Sequence, residues 1–237
     1  HGNTLCISSQ VGCYMGCKFC ASTIGGKVRD LYPSELLGQI IAAELDSGER
    51  ISNIVMMGIG EPLDNFDNVV KFLENVNNPQ GLNIGYRHIS ISTCGIIPKI
   101  EELADMKLPI NLCISLHAPN NGIRDGIMPI NRKYKIEDLI CACKRYVEKT
   151  TRRITFEYSL IKGVNDKEED AKELVKLLSG MLCHVNLIPV NRVEESGFTH
   201  GDKKSILRFC EYLNKRKINA TIRRELGSDI NASCGQL

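Results

Sequence analysis

Two kinds of hydrophobic pattern alternate along the chain. Short apolar runs rich in β-branched residues predict strands, and longer segments with apolar residues three and four positions apart predict amphipathic helices. The predicted strands cover residues 4–9, 52–57, 88–92, 110–116, 153–160, 184–189 and 219–223. The predicted helices cover residues 34–47, 65–77, 97–106, 136–150, 167–179 and 203–215.

The strand and helix repeat predicts an α/β fold with parallel strands joined by right-handed crossovers. Six such units indicate a full or partial (β/α) barrel with outer helices, and no linker, low-complexity tract or repeat divides it. Barrels carry their chemistry at the carboxyl ends of the strands. The segments at these ends are rich in glycine and polar residues, and they are 13–20, 58–62, 93–95, 117–119 and 190–191.

The composition is that of an ordinary globular protein. Thirty Lys and Arg against 28 Asp and Glu give a net charge of +2, with 43% hydrophobic and 24% charged residues. These values exclude a disordered charged chain and a polycationic nucleic-acid binder, so any contact with RNA would use a local patch. No run approaches the ~18 apolar residues of a membrane span and no leader is recognisable. We therefore expect a soluble, cytoplasmic protein that does not associate with membranes.

Eleven cysteines are an odd count in a chain that lacks the character of a disulfide scaffold. A reducing compartment is therefore expected. Those that lie among apolar neighbours are interpreted as small hydrophobic residues, namely Cys113, Cys141, Cys143, Cys183 and Cys210. The cysteines that stand apart from this group are Cys6, Cys13, Cys17, Cys20 and Cys234.

Three cysteines follow the first predicted strand within a short loop. Cys13, Cys17 and Cys20 are spaced C-x3-C-x2-C, and Gly12 and Gly16 allow the tight backbone that brings their sulfurs together. A structural zinc site is normally closed by four protein ligands, whereas a four-iron cluster held by three cysteines keeps one iron open. The spacing therefore favours one [4Fe-4S] cluster, with zinc as the alternative.

The cysteine loop also resembles a known signature. The run Cys13-Tyr14-Met15-Gly16-Cys17-Lys18-Phe19-Cys20 is similar to that of radical S-adenosylmethionine (SAM) enzymes, whose cluster binds the methionyl amine and carboxylate of SAM at the open iron. Further motifs in fixed order resemble the RlmN/Cfr family, which methylates an adenosine of 23S ribosomal RNA. They lie at 5–13, 56–62, 115–119, 186–191 and 232–237. The resemblance implies a partial (β/α)6 radical SAM barrel.

Two of these motifs separate the branches of the family. Gly60-Glu61-Pro62 and Ile188-Pro189-Val190-Asn191 are similar to RlmN, which methylates adenosine C2 and also acts on some transfer RNAs. Cfr relatives methylate C8 and confer antibiotic resistance on the ribosome. The resemblance therefore implies an RNA adenine-C2 methyltransferase. A Cfr-type C8 enzyme and a non-catalytic iron–sulfur module that binds RNA remain the alternatives.

The resemblance also implies a set of SAM contacts. Gly60 and Glu61 match the segment that holds the methionyl amine, a role that suits a carboxylate because it forms charge-assisted hydrogen bonds. The other positions that match SAM contacts are Ser92, Ser115, Leu116, His117 and Asn191.

Two further cysteines match the reactive thiols of the family. The resemblance implies that one SAM methylates Cys234, and that a second SAM yields the 5′-deoxyadenosyl radical that abstracts hydrogen from this S-methyl group, so that two SAM are used per turnover. Cys6 then resolves the RNA adduct by forming a transient disulfide with Cys234, a step of thiol chemistry.

The expected partners follow from the same resemblance. They are 23S ribosomal RNA, transfer RNA and an electron donor such as flavodoxin, and the family precedent is a monomer. Basic pairs such as Arg152-Arg153 and Lys215-Arg216 could contact phosphates. No segment matches the N-terminal accessory domain of RlmN proteins, so we expect residues 1–237 to form the catalytic core without that domain.

Overall fold

Seven parallel strands form one curled sheet, a half-barrel with helices packed against it. The computed structural model describes residues 2–191, 197–223 and 236. The strands are β1 (Asn3–Cys6), β2 (Gln10–Gly12), β3 (Lys27–Asp30), β4 (Ile51–Met56), β5 (Ile89–Thr93), β6 (Asn111–Ser115), β7 (Ile154–Leu160), β8 (Cys183–Pro189) and β9 (Ala220–Ile222). The main sheet has the order β1-β4-β5-β6-β7-β8-β9, and neighbouring strands are parallel throughout. The predicted strands and the partial-barrel fold class are confirmed.

Helices follow the strands of the main sheet. They are α1 (Pro33–Ser47), α2 (Phe66–Val76), α3 (Ile97–Met106), α4 (Asn121–Ile127), α5 (Ile136–Thr150), α6 (Glu168–Leu178) and α7 (Lys203–Lys215). Six of these confirm the helices expected from apolar spacing. The helix α4 was not expected, because it is short and contains two glycines; the side chain of its N-cap residue Asn120 accepts from the backbone N–H of Ile123 and starts it. No described helix has the length and apolarity needed to cross a bilayer.

The two faces of the main sheet differ in chemistry because successive strand residues point to opposite sides. The core takes every second residue of β7, namely Ile154, Phe156, Tyr158 and Leu160. The residues between them are Thr155, Glu157 and Ser159, which lie on the concave side. The same alternation in β5 and β6 places Ser92 and Ser115 on the concave side. The half-barrel therefore has an apolar outer face beneath the helices and a polar inner face.

A small hairpin that the hydrophobic pattern does not reveal encloses the three-cysteine loop. Strands β2 and β3 pair antiparallel at its base, and Cys13 N–H donates to the carbonyl of Gly26 at 3.1 Å. Gly12 has φ +75°, and a Cβ at this position would lie 1.8 Å from Gly26 O. Only glycine fits here. Lys27 pairs with Asp30 and Asp64, each at 2.8 Å, and fixes the hairpin against the loop before α2.

The cysteines interpreted as small hydrophobic residues divide into two groups. Cys113, Cys143 and Cys183 are buried and Cys210 is half-buried, as expected for such a role. Cys141 lies on the exposed face of α5, so its apolar sequence neighbours do not place it in the core.

A buried arginine joins α4 to the sheet. Arg124 is 0% exposed, and its guanidinium donates to the carbonyls of Cys94 at 2.7 Å and of Ser115 and Leu116 at 3.1 Å, and to Asn131 Oδ1 at 3.2 Å. These carbonyls end or follow β5 and β6. One side chain therefore satisfies backbone acceptors of two neighbouring strands in a buried place.

Replacement of this arginine should destabilise the fold strongly. In Arg124→Met the three carbonyls lose a charged donor, and we expect the free energy of unfolding to fall by about 3–5 kcal/mol. Arg145→Met is the matched control, because Arg145 is exposed and pairs only with Glu101; it should cost less than about 1 kcal/mol. Urea denaturation followed by circular dichroism measures both values. Equal losses in the two variants would contradict the role assigned to Arg124.

Candidate active site

A cavity of about 900 Å³, a volume that includes open space at its mouth, lies at the carboxyl ends of the strands of the half-barrel. The structure brings most of the predicted site residues together on its wall, namely Cys13, Cys17, Cys20, Gly60, Glu61, Ser92, Ser115, His117 and Asn191. These residues come from five separate segments of the chain. The cavity lies at the strand ends, where the barrel pattern places the site; that the chemistry takes place there stays a prediction.

Two predicted residues are placed differently, and a third is not described. The Leu116 side chain is 0% exposed and packs in the hydrophobic core, so only its backbone is near the cavity. Cys6 is exposed at the end of β1 and is not part of the cavity wall. Cys234 lies outside the described residues, and its pairing with Cys6 stays a prediction.

The cysteine loop is held by both side-chain and backbone contacts. Lys18 N–H donates to Ile127 O of α4 at 3.0 Å, and the Thr23 hydroxyl donates to the carbonyls of Cys17 and Cys20 at 3.3 and 3.0 Å. The ring of Phe19 packs edge-on against that of His117, with centroids 4.8 Å apart. The loop is therefore fixed to α4 on one side and to the end of β6 on the other.

The three thiols fit a cluster better than a single ion. Burial raises the pKa of Cys13 to about 11. Burial also raises the pKa of Cys17, and the negative charges of the neighbouring Cys20 and Cys13 thiolates add to this effect. Within the described residues, no three Cys, His, Asp or Glu side chains are grouped around one point as a single ion requires. Zinc at about 2.3 Å from each sulfur would need such a group, whereas a four-iron cluster spreads three thiolates over three irons. Because the thiols must lose their protons, iron binding would release protons.

Glu61 lies on the cavity wall, and its carboxylate is hydrogen-bonded to the protein. Its two oxygens accept from the backbone N–H groups of Cys94 at 2.7 Å and Leu63 at 3.0 Å. Burial raises the pKa of Glu61 despite these hydrogen bonds, which act in the opposite direction. The Thr93 hydroxyl and the Cys94 thiol also form hydrogen bonds with this carboxylate. A carboxylate accepts about four hydrogen bonds, so a cation in the cavity would share these oxygens with the protein donors. An ammonium group there would favour the ionised form.

His117 is neutral and its tautomer follows from its contacts. Burial, reinforced by the positive charge of Arg124, lowers its pKa to about 3. Ser159 N–H donates to Nδ1 at 2.8 Å, so the ring proton is on Nε2. The residue has φ +55°, and its carbonyl accepts from the Asn165 side chain at 2.7 Å. His117 therefore offers the cavity a neutral N–H donor.

The cavity wall includes residues to which no role was given on sequence grounds. The polar members of this group are Thr23, Thr93, Cys94, Glu157 and Ser159. Arg223, one of the basic residues that could contact phosphates, also lines the cavity. Glu157 could have been found by following the alternation of β7, because it falls on the concave face. Cys94 belongs to a segment that the barrel pattern places at the site, but a thiol among apolar residues is typical of a core position.

One of the predicted phosphate-binding pairs is engaged in the fold. The Arg152 guanidinium donates to Ile110 O at 2.8 Å and to Asn111 Oδ1 at 2.9 Å. It therefore stabilises the start of β6 and has less capacity for RNA. Lys215 lies 3.6 Å from Glu211 on the surface of α7, an exposed pair that leaves the lysine accessible.

The low pKa of His117 predicts a specific loss of stability in mild acid. The unfolded chain binds a proton at this histidine below pH ~6.5, whereas the folded protein does so only near pH 3. Stability should therefore fall as pH decreases from 6.5, by up to about 1.4 kcal/mol per pH unit from this group.

His117→Asn tests this prediction. The asparagine oxygen can replace Nδ1 as acceptor for Ser159 N–H, and asparagine tolerates a positive φ. Denaturation between pH 7.5 and 5 should show a shallower decline in the variant than in the wild type. Burial also lowers the pKa of His184. This residue contributes the same loss of stability in both proteins, so its contribution cancels in the difference. Parallel curves would show that His117 is not held neutral.

Comparison with known proteins agrees with the geometry of the cavity. The model of the Radical SAM superfamily matches residues 7–175. A protein of Desulforamulus reducens named "Probable dual-specificity RNA methyltransferase RlmN" is 58% identical over 237 residues, which is all of this chain and 68% of that protein. A protein of the same name from Thermoanaerobacter sp. is 61% identical over 236 residues and is covered to 69% of its length.

Solved structures give the same result. A radical SAM methyltransferase from Sphaerobacter thermophilus superposes with a TM-score of 0.96 at 45% identity, over 98% of this chain and 69% of that one. A spore photoproduct lyase superposes with a TM-score of 0.65 at 12% identity, over 93% of this chain and 76% of that one, and shows the shared fold alone. With its cysteine loop and cavity at the strand ends, the chain belongs to the radical SAM superfamily and, within it, to the RlmN family.

Proposed function

We propose that this chain is the catalytic core of a radical SAM methyltransferase that methylates C2 of an adenosine in 23S ribosomal RNA and in some transfer RNAs. The observation that carries the proposal is the cavity in which three loop thiols, a buried carboxylate and the hydroxyl groups of two neighbouring strands converge. Similarity over the whole of this chain, and over 68% and 69% of two proteins named dual-specificity RNA methyltransferases, supports the substrate class.

The residues on the cavity wall fit both groups that the family uses. Cys13, Cys17 and Cys20 would hold the [4Fe-4S] cluster, and Gly60 with Glu61 would hold the methionyl amine of SAM. The hydroxyl groups of Ser92 and Ser115, 3.4 Å apart, would contact the remainder of SAM, together with His117 and Asn191. When bound, the reduced cluster supplies the electron that cleaves SAM to a 5′-deoxyadenosyl radical.

Chemistry at C2 requires a methyl carrier on the protein. Adenine C2 is an electron-poor aromatic carbon and does not attack the methyl group of a sulfonium directly. A thiolate does, and we assign this step to Cys234, whose sulfur takes the methyl group of a first SAM. The 5′-deoxyadenosyl radical takes a hydrogen atom from the S-methyl group and becomes 5′-deoxyadenosine, and the resulting carbon radical adds to C2. The adduct loses one electron, which the oxidised cluster would accept, and the C2 proton, which restores the aromatic ring.

Release of the RNA requires a second thiol, which we assign to Cys6. Its thiolate attacks the sulfur of Cys234, the bond between that sulfur and the methylene carbon breaks, and a disulfide forms. The carbon keeps the electron pair of the broken bond and takes a proton from water, which completes the methyl group on C2. Two electrons from the reductant restore both thiols. The position of Cys6 supports this role, because its strand neighbours Leu5 and Ile7 pack against the core while Cys6 is exposed on the other side of β1.

The proposed partners follow from the same reaction. The target adenosine must leave its stack to reach the cavity, as other base-modifying enzymes require. An electron donor such as flavodoxin would reduce the cluster, and the enzyme would act as a monomer in the cytoplasm, where its RNA substrates are. We further propose that residues 1–237 are one catalytic domain.

Product analysis tests the proposal directly. The protein is reconstituted anaerobically with iron and sulfide, supplied with SAM and a strong reductant, and incubated with a fragment of 23S ribosomal RNA. We expect 2-methyladenosine in the digested RNA and one added methyl on the peptide that contains Cys234, both measured by mass spectrometry. Cys17→Ala should lose the cluster and all SAM cleavage. Cys141→Ala is the matched control, since this thiol is exposed on α5, and should retain activity.

Each alternative outcome has a distinct meaning. Formation of 8-methyladenosine would assign the chain to the C8 chemistry of Cfr. SAM cleavage and methylated Cys234 without RNA product would show that the core is competent but needs the family's accessory domain. An intact cluster that neither cleaves SAM nor methylates Cys234 would reject the proposed function.

A further inference from the structure

A buried carboxylate on the cavity wall has no part in the mechanism above. Glu157 is 4% exposed and lies in the middle of β7, on the concave face. It lines the same cavity as Ser115, His117 and Asn191. Carboxylates are almost never buried unless a partner compensates for the lost hydration.

The protein compensates Glu157 only in part. Asn186 on β8 donates from Nδ2 to Glu157 Oε2 at 2.9 Å. The positive charge of Arg223, just beyond β9, lowers the pKa of Glu157. Burial nevertheless keeps the pKa of Glu157 above its usual value. A hydrogen-bond donor supplied by a ligand would stabilise the ionised carboxylate further.

The position of Glu157 points to the part of a ligand that it would meet. In the parallel ladder, Ser115 lies opposite Glu157 on one side and Asn186 on the other, at the ~4.8 Å spacing of neighbouring strands. Ser115 is in turn 3.4 Å from Ser92, hydroxyl to hydroxyl. A molecule held by these two serines would therefore have the Glu157 carboxylate beside it.

The chemistry of a carboxylate limits which chemical group of a ligand can bind Glu157. When ionised it only accepts hydrogen bonds, so the ligand must present a donor. Acidic side chains that bind nucleosides in other α/β proteins accept from ribose hydroxyls. In the proposed function two ribose rings enter the cavity, one in SAM and one in the target nucleotide.

We propose that Glu157 is a nucleoside-binding residue whose carboxylate accepts a hydrogen bond from a ribose hydroxyl of an adenosine in the cavity. This inference rests on the proposed function for the presence of the nucleoside. SAM and the target nucleotide would both present such a hydroxyl. The two arms of one experiment distinguish between them.

The first arm measures affinity for SAM in the reconstituted protein by equilibrium dialysis with labelled SAM. If the ribose belongs to SAM, Glu157→Ala should weaken binding about tenfold to a hundredfold, the usual effect of losing a charge-assisted hydrogen bond. Wild type should also bind 5′-deoxyadenosine better than 2′,5′-dideoxyadenosine or 3′,5′-dideoxyadenosine, and Glu157→Ala should not distinguish the three. Glu148→Ala, an exposed position on α5, is the control and should stay within about twofold of wild type.

The second arm measures affinity for an RNA hairpin that carries the target adenosine, by fluorescence anisotropy. The matched hairpin has a single 2′-deoxyadenosine at that position. If the ribose belongs to the RNA, wild type should prefer the ribose form by about tenfold or more, and Glu157→Ala should bind both hairpins equally while its SAM affinity stays unchanged.

A second variant keeps the test valid if the alanine variant does not fold. Glu157→Gln retains an oxygen that accepts from Asn186, and it should reduce the same affinity to a smaller extent because a neutral hydrogen bond has about half the strength of a charged one. The proposal is overturned if both variants bind SAM and RNA within twofold of wild type. It is also overturned if they lose affinity equally for ligands with and without the hydroxyl, since this would mean a structural role. An intact cluster that neither cleaves SAM nor methylates Cys234, while the SAM arm behaves as expected, would reject the proposed function and leave this inference standing.

Discussion

The cavity depends on the buried guanidinium of Arg124. Its hydrogen bonds to Cys94, Ser115 and Leu116 join the ends of β5 and β6 to α4. The same helix accepts the backbone N–H of Lys18 from the cysteine loop. The loop, the two strands and the helix therefore hold one another in place through a side chain that water does not reach. A lysine could supply the charge but not the planar fork that reaches three carbonyls at once.

Two buried ionisable side chains of the site meet at one residue. The N–H of Cys94 donates to the Glu61 carboxylate and the Cys94 carbonyl accepts from the Arg124 guanidinium, so the two side chains bind the two peptide groups that flank the Cys94 Cα. Burial favours the neutral forms of Glu61, Glu157 and His117. A site of this kind is suited to a ligand that brings its own charges, because an ammonium or carboxylate placed there meets a fixed and partly dry partner.

The order of elements and most of the cavity could be predicted, because strand alternation and helix spacing are local in sequence. Cys13, Cys17 and Cys20 were recognisable for the same reason, since they lie on one loop. The helix α4 and the hairpin of β2 and β3 were not, because a short helix with two glycines and strands of three and four residues carry no periodic signal. The role of Arg124 could not be predicted either. Its partners are backbone carbonyls, which every residue carries whatever its side chain, so the sequence does not mark them. The Leu116 side chain is buried in the core, and a motif match does not say whether a residue would contact a ligand through its side chain or its backbone.

Within the part of the chain that the structure describes, β1 and β9 are the edge strands of the main sheet. An exposed edge offers unpaired backbone groups to any other strand, and long flat edges promote aggregation. Here the edge strands have only four and three residues, which limits how many hydrogen bonds an intruding strand could form. A closed barrel would abolish the edges, but it would also seal the side through which a bulky polynucleotide can bring one base to the centre. The short edge strands thus let the molecule stay open to a large substrate without becoming a template for its own association.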